Sequence, residues 1–387
     1  MLIKSDIKGV YSEDNTVHDH HSKQPDPSLP TTLDGLRDAI DSVDDKIHDL
    51  LMERAQYVLQ VGRVKGHAPG VAFYRPEREA RIHRRLEKRH RGPLPISGLH
   101  RIYREIISAS LSLEKKLTVA YLGPEATFTH QAALKQFGNA FDTFAVQTIA
   151  EVFHEVEVGR ADYGVVPVEN SIEGVVNHTL DCFVDSPLKI CAEVLLPEVH
   201  VLLSREMEIS RIRKVFGHFQ AIRQCRGWLD KHLPEAEVIS VSSTEQAAKR
   251  AADKKRSAAV AGVYAADHFG LHVLAEHVED DADKENRFLV VGNKSPDPSG
   301  QDKTSLMLSF RDQPGFLHRV LGVFAQQEVN LTRIESRPSR KKAWDYLFYV
   351  DFEGHHDNGT VATALASLAD IPGVSAKLLG SYPLRAL

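Results

Sequence analysis

Arg54 and Lys65 lie on the apolar stripe of a helical run in which Leu33, Leu36, Ile40, Val43, Ile47, Leu50, Val58 and Val61 step by three and four. Eleven residues, or three turns, separate the two cations, so they share nearly one azimuth. A cation facing a core must be paired. Arg37 follows Leu36, Arg78 and Glu79 open a second helical stretch, and Ser110 and Glu114 share a face of a third at i, i+4. A single arginine so placed is ordinarily a salt-bridged surface group. Four cations with carboxylates and a hydroxyl instead suit a pocket for a small dicarboxylate, with guanidinium forks on the carboxylates and other donors on an ether or hydroxyl oxygen.

A second concentration of small polar groups is GVVPVENSIEGVVNHTLD, residues 164–181. Residues 162–168 have the β-branched content of a short buried strand with Pro167 near its end. Glu169, Asn170 and Ser171 then fall on the turn leaving it, ahead of a helix in the second half of 172–183. In open α/β sheets that strand-end crevice binds ligands. The alternative is a capped helix whose Asn and Ser merely satisfy backbone donors.

The elements that must position these groups fall into three blocks. No proline interrupts 31–68, which predicts one helix of about 34 residues, roughly 50 Å long, of the kind that packs on a bundle or another chain. Further helices are expected over 75–89 and 97–115, the latter with Leu99, Ile102, Ile106, Ser110 and Leu113 inward. From 116 to 293 strand and helix patterns alternate, which argues for a parallel or mixed sheet covered on both faces. The run GNKSPDPSGQDK, 292–303, reads as a linker, and a compact βαββαβ pattern follows it. Residues 1–30 read as a polar tail, in which His18, Asp19, His20 and His21 are at most an adventitious metal binder.

A formal charge of −5 over 387 residues gives no basic field for nucleic acid, and 42% hydrophobic content suffices for packed cores. No apolar run approaches the roughly 20 residues of a membrane span. The N-terminus lacks the apolar core of a secretory signal. Cys182, Cys191 and Cys225 are scattered and outside CxxC spacing, which fits a reducing cytoplasm and offers neither a disulfide framework nor a zinc site.

Leu36-Arg37-Asp38, Glu53-Arg54, Val61-Gly62-Arg63-Val64-Lys65 and Tyr74-Arg75-Pro76-Glu77-Arg78-Glu79 resemble the all-helical chorismate mutases. The resemblance implies a domain over 31–115 that rearranges chorismate to prephenate without cofactor or covalent intermediate. It implies that Arg37, Arg54 and Arg78 hold the two carboxylates, that Lys65 and Glu114 address the ether oxygen, and that Glu79 and Ser110 meet the ring hydroxyl. Catalysis would be confinement in a reactive conformer plus electrostatic stabilisation. Glu114 stands where other members carry Gln and can donate to the ether only if protonated, so mutase activity is expected to fall on the alkaline side. The long helix further implies a homodimer or larger, with Arg37 reaching the partner's pocket.

Tyr121 to Ala133, the 164–181 stretch and Ser243 to Ala252 resemble the prephenate dehydratases. The implied fold, over 117–296, is two α/β lobes around a cleft, similar to periplasmic binding proteins. The implied reaction expels hydroxide as carbon dioxide departs, giving phenylpyruvate. The family's Thr-Arg-Phe tripeptide is here Asn286-Arg287-Phe288, which the resemblance makes catalytic, with Thr127, Asn170, Ser171 and Gln220 binding substrate. Asn286 lacks the hydroxyl and is a weaker proton relay, so His277 is a candidate replacement beside Glu276, and a weak, arogenate-preferring or purely sensing middle domain is the alternative. PGFLHRVL and RIESRP resemble ACT domains, here over 303–387, in which phenylalanine binds between paired modules and inhibits. The implied contacts are Gly315, Phe316, Leu317, Glu335, Ser336 and Arg337, with the Phe316 ring standing where alanine is usual and occupying ligand space. No metal or organic cofactor is implied.

Overall fold

The computed structural model describes residues 29–66, 73–170, 174–281, 284–310, 313–338 and 346–384. Ser171 and the histidine cluster at 18–21 lie outside the described residues. Met1–Tyr57 and Val58–Leu387 form two compact units. In the first, the described structure is mainly the leading part of α1 (Leu33–Gly66), with Asp34 in its first turn, where the helix dipole favours an anion. The expected apolar stripe is present, but among the described residues α1 has no buried residue, and Leu33, Ile40, Val43, Ile47 and Leu50 are exposed.

The second unit continues through α2 (Pro76–Arg89) and α3 (Ile96–Glu114). Pro76 opens α2, where its missing N–H has no helical partner to lose. Ile102 and Leu113, expected inward, are each 49% exposed. The face of α3 that packs carries Ile107, Ser108 and Leu111, because Tyr74 and Phe137 supply a partner surface on that side.

The α/β part starts with β1 (Thr118–Leu122), α4 (Phe128–Phe137), β2 (Asp142–Val146), α5 (Ile149–Glu157), β3 (Tyr163–Asn170), β4 (Gly174–Val175), α6 (Asn177–Asp185) and β5 (Lys189–Pro197). It continues through β6 (Val201–Ser204), β7 (Lys214–His218), α7 (Phe219–Gln224), α8 (Arg226–His232), β8 (Glu237–Val241), α9 (Thr244–Asp253), β9 (Ser257–Ala261), α10 (Tyr264–Phe269) and β10 (His272–Ala275), and returns in β11 (Glu285–Gly292). The first sheet has the order β2-β1-β3-β11-β5, with β11 antiparallel between β3 and β5. Both its faces are covered, which is why its strands read as unbroken apolar runs. Pro167 sits inside β3 rather than near its end, since β3 runs on to Asn170. The ladder accommodates it through a register shift: Phe288 pairs with Pro167 and Arg287 with Glu169, which leaves Val168 unpaired in a bulge.

The second sheet has the order β10-β6-β9-β7-β8. Ala247, Ala248, Ala251 and Ala252 of α9 pack with Ala259 and Ala261 of β9, small side chains that let helix and sheet approach closely. The chain crosses between the lobes after β5 and returns between β10 and β11. The crossings are joined by Glu198 N–H to Lys284 O at 2.8 Å and Val278 N–H to His200 O at 3.0 Å.

The third domain is β12 (Asp302–Phe310), α11 (Phe316–Gln326), β13 (Leu331–Pro338), β14 (Tyr346–Glu353), α12 (Gly359–Ala369) and β15 (Ser375–Pro383), an antiparallel sheet of order β13-β14-β12-β15 with ferredoxin-like βαββαβ connectivity. One face holds α11 and α12, and the other packs Met307, Tyr349, Leu379 and Tyr382 into the core of the first lobe. Gly380 is required by this docking, since a Cβ there would lie 2.3 Å from the Ile190 carbonyl oxygen of β5. The linker residues are not loose: the Asp302 carboxylate accepts from Ser299 and Gly300 N–H, and Ser299 is buried. Among the described residues no helix is long and apolar enough to cross a membrane.

Candidate active sites

In the helical domain the structure brings Lys65 and Glu114 together. The Lys65 ammonium donates to Glu114 Oε2 at 2.8 Å and to the Phe73 carbonyl at 3.2 Å, with both side chains largely buried. Gly62 faces this contact, and a Cβ there would lie in ordinary van der Waals contact with Glu114 Cα at 3.4 Å. Glu114, expected as a donor, is here an acceptor: its oxygen is filled by the ammonium. Ser110 donates back to its own helix, to Ile106 O at 2.5 Å.

Glu79 departs from its expected place. It lines a small cavity between α2, α3 and α4 with Tyr74, His83, Arg104, Ser108 and Gln136, and neither Lys65, Ser110 nor Glu114 is among the residues lining that cavity. Burial, reinforced by Glu77 and opposed by Arg104, raises the Glu79 carboxyl to about 8. Burial beside His100 and Arg104 lowers His83 to about 4. Arg78 is exposed. In the first unit Arg37 is two-thirds exposed, near Asp34 at 3.5 Å, and Arg54 is half-buried. Within their own units, Arg37 and Arg78 are thus exposed, Arg54 is half-buried and Lys65 is largely buried. An exposed guanidinium keeps its hydration unless a further surface covers it.

In the two-lobed domain, Asn170 and Asn286 pair across β3 and β11, and Asn170 Nδ2 donates to Asn286 Oδ1 at 2.6 Å. Asn170 is therefore a strand residue at the end of β3, not the turn residue expected, and Asn286 stands beside it in β11. Thr127 caps α4, its hydroxyl oxygen accepting from His130 N–H and donating to Pro124 O. Gln220 lies half-buried in the first turn of α7. Behind the asparagines stands a polar row that the motif reading missed: Asn170 also donates to Glu198 Oε2 at 3.0 Å, Gln224 donates to Glu198 Oε1 at 3.3 Å, and His200 Nε2 meets Gln224 Oε1 at 2.7 Å. The available signal was Glu198 and His200 set between two apolar strands, where buried polar groups must serve one another.

Strand alternation corrects two assignments. Phe288 points to the same face as Asn286 but is packed in the core with Tyr121 and Val194, so it is a packing residue. Arg287 points to the opposite face, toward the third domain. There it donates to Glu193 at 2.6 Å and Asp351 at 2.7 Å, and lies 3.6 Å from Glu169. Lys303 also holds Glu193, and Arg333 holds Glu169 at 3.1 Å. Arg287 thus joins the two-lobed domain to the third domain. His277 is bonded to Glu279 at 3.0 Å, not to Glu276, with its ring largely exposed.

In the third domain a cavity of about 350 Å³ is lined by Phe310, Gln313, Gly315, Leu317, His318, Tyr346 and Phe348. The expectation that the Phe316 ring occupies ligand space is wrong: it is buried in the domain core, stacked on Phe310 at 4.9 Å, with Arg319 over its face. Glu335, Ser336 and Arg337 are not among the lining residues. Arg337 is held by Asp181 at 3.1 Å and donates to the Asn177 carbonyl at the start of α6.

Family models for chorismate mutase type II, prephenate dehydratase and the ACT domain match residues 36–115, 119–296 and 304–370. A bifunctional chorismate mutase/prephenate dehydratase from Aquifex aeolicus is 48% identical over 355 residues, covering 91% of this chain and 98% of its own. Its counterpart from Pseudomonas aeruginosa is 45% identical over 360 residues, covering 92% and 98%. Among solved structures, prephenate dehydratase from Arthrobacter aurescens in complex with L-Phe matches with a TM-score of 0.63 and 37% identity, over 70% of this chain and 90% of that chain. With three domains in one chain and near-complete coverage of such relatives, the chain belongs to the bifunctional chorismate mutase/prephenate dehydratase family.

Proposed function

We propose that the chain rearranges chorismate to prephenate in its helical domain, 31–115, and converts prephenate to phenylpyruvate in its two-lobed domain, 117–296. L-phenylalanine bound to the ACT domain, 303–387, inhibits the second reaction, and the work is done in the cytoplasm. The carrying observation is the 48% identity to a bifunctional relative across 98% of that relative's length. In the helical domain Lys65, held by Glu114, supplies the cation for the ether oxygen as its bond breaks. Arg37, Arg54 and Arg78 hold the two carboxylates, and a second copy of the chain completes the pocket. Two features support that copy: α1 has no buried residue, and Arg37 and Arg78 are exposed. In the two-lobed domain the substrate lies against Asn170 and Asn286, with Thr127 and Gln220 as further binding residues.

Incubating the protein with chorismate and following chorismate loss and phenylpyruvate appearance together, with and without L-phenylalanine, tests the whole reading. Chorismate loss with accumulation of prephenate would reduce the middle domain to a sensor. No chorismate loss at micromolar protein, where sedimentation shows a dimer, would remove the mutase.

A further inference from the structure

Glu198 lies at the first crossing between the lobes and is 8% exposed. A carboxylate accepts hydrogen bonds and donates none, so every amide that meets it must present NH2. Asn170 does so at 3.0 Å and Gln224 at 3.3 Å. The consequence travels outward along both arms. The Asn170 nitrogen turned toward Glu198 also meets Asn286 at 2.6 Å, so the atom of Asn286 that receives it is the carbonyl oxygen. The end of the Asn286 amide left for a ligand is its NH2. On the other arm Gln224 offers its carbonyl to His200 at 2.7 Å, which places the His200 proton on Nε2. Gln224 belongs to the second lobe and Asn170 and Asn286 to the first, so the row spans the hinge.

We infer that Glu198 is a positioning residue for the dehydration: by fixing the direction of the hydrogen-bond row, it turns the Asn286 NH2 toward the departing hydroxyl. The inference rests on the dehydratase reading above. In that reaction the bond from the ring to its carboxylate breaks, and carbon dioxide leaves. The electron pair enters the ring as the carbon–oxygen bond at the far carbon breaks. The oxygen departs with that bond's pair and becomes water with one proton from solvent. A donor aimed at that oxygen stabilises the developing charge, whereas a carbonyl aimed at it repels. A threonine hydroxyl rotates and donates from either setting, but an asparagine amide has two unlike ends and works only one way round. Dependence on Glu198 is therefore a property of having Asn286.

The test is a double-mutant cycle with prephenate as substrate. Glu198→Gln replaces one acceptor oxygen by NH2, so the row loses its fixed direction. The expected result is a fall in kcat of about tenfold with KM within about twofold, whereas in an Asn286→Thr background the same change costs less than about twofold. Glu198→Asp, still acceptor-only, retains more activity than Glu198→Gln. Mutase turnover of each variant, which does not involve this row, reports that the chain is folded. Equal losses in the two backgrounds, or no loss in either, would overturn the inference. A wild-type chain that consumes chorismate but not prephenate would instead remove the dehydratase reading, and the inference with it. If Glu198→Gln does not fold, the decision passes to Glu198→Asp, for which the same ordering of losses is required.

Discussion

Arg287 follows Asn286 directly on β11, yet its guanidinium donates to Asp351 of the ACT domain at 2.7 Å. One strand thus carries, on adjacent positions, a residue paired with Asn170 and a residue that joins two domains. Burial raises the Asp351 carboxyl, but Arg287 and the Ser305 hydroxyl outweigh it and hold the group below the usual carboxylate range. Removing one partner strands a buried charge, while removing both does not. Arg287→Met is expected to destabilise by about 3 kcal/mol, and Arg287→Met with Asp351→Asn by less than the sum of the single changes. Thermal melts of the four proteins check this. Because the folded carboxyl is depressed, its contribution is full above the ordinary carboxylate range and is lost as pH falls through the folded value. Strictly additive losses would show that the pair does not hold the domains.

The second prediction concerns Glu79, with Glu77 and His83 on its own helix and Arg104 and His100 on the next. Its carboxyl is raised from 4.5 to about 8, so the folded state holds a proton that the unfolded state releases between those values. Stability from this group is therefore complete below pH 4.5 and is lost as pH rises toward 8. His83, lowered from 6.5 to about 4, acts in the opposite sense and loses its contribution as pH falls through that window. Melting temperature should be nearly level where the two windows overlap and decline from pH 6.5 to 8. Glu79→Gln should abolish the alkaline decline, and a decline unchanged in that variant would disprove the assignment.

Phe316→Ala separates packing from ligand space. With the ring buried against Phe310, truncation should destabilise the ACT domain by about 3 to 5 kcal/mol and should not strengthen phenylalanine inhibition. Calorimetry of unfolding, together with an inhibition curve, decides this. Tighter inhibition with an unchanged melt would return the ring to the ligand pocket.

In the mutase, Lys65→Met should lower kcat/KM for chorismate by about 100-fold while leaving prephenate turnover intact. Glu114→Gln frees the ammonium from its counter-ion and adds an amide donor, so it should be at least as active as the wild type at pH 7.5 by about the same assay. A loss in Glu114→Gln matching that of Lys65→Met would mean that the carboxylate itself is required.

What is legible in the sequence follows from which forces are local. The 34-residue helix, the βαββαβ block and the alternating middle are set by periodicity and proline placement, and they occur as expected. The orientation of α3 was not legible: Ile102 and Leu113 follow the apolar period, but Tyr74 and Phe137 decide which face is covered. The Asn170–Asn286 contact was within reach through strand pairing. The destination of Arg287 was not, because a carboxylate 64 positions away fixes it. Glu198 escaped because its role depends on the direction of hydrogen bonds, which residue types alone do not specify.

The second lobe leaves the first after β5 and re-enters at β11, two strands that are immediate neighbours in one sheet, with the outgoing and returning backbones bonded at Glu198 and Lys284. Topologically it is a cassette inserted into an otherwise complete sandwich. A short tether in its place would leave every strand of the first sheet with its present neighbours, so the second lobe can be exchanged without rebuilding the first, which carries the ACT docking surface.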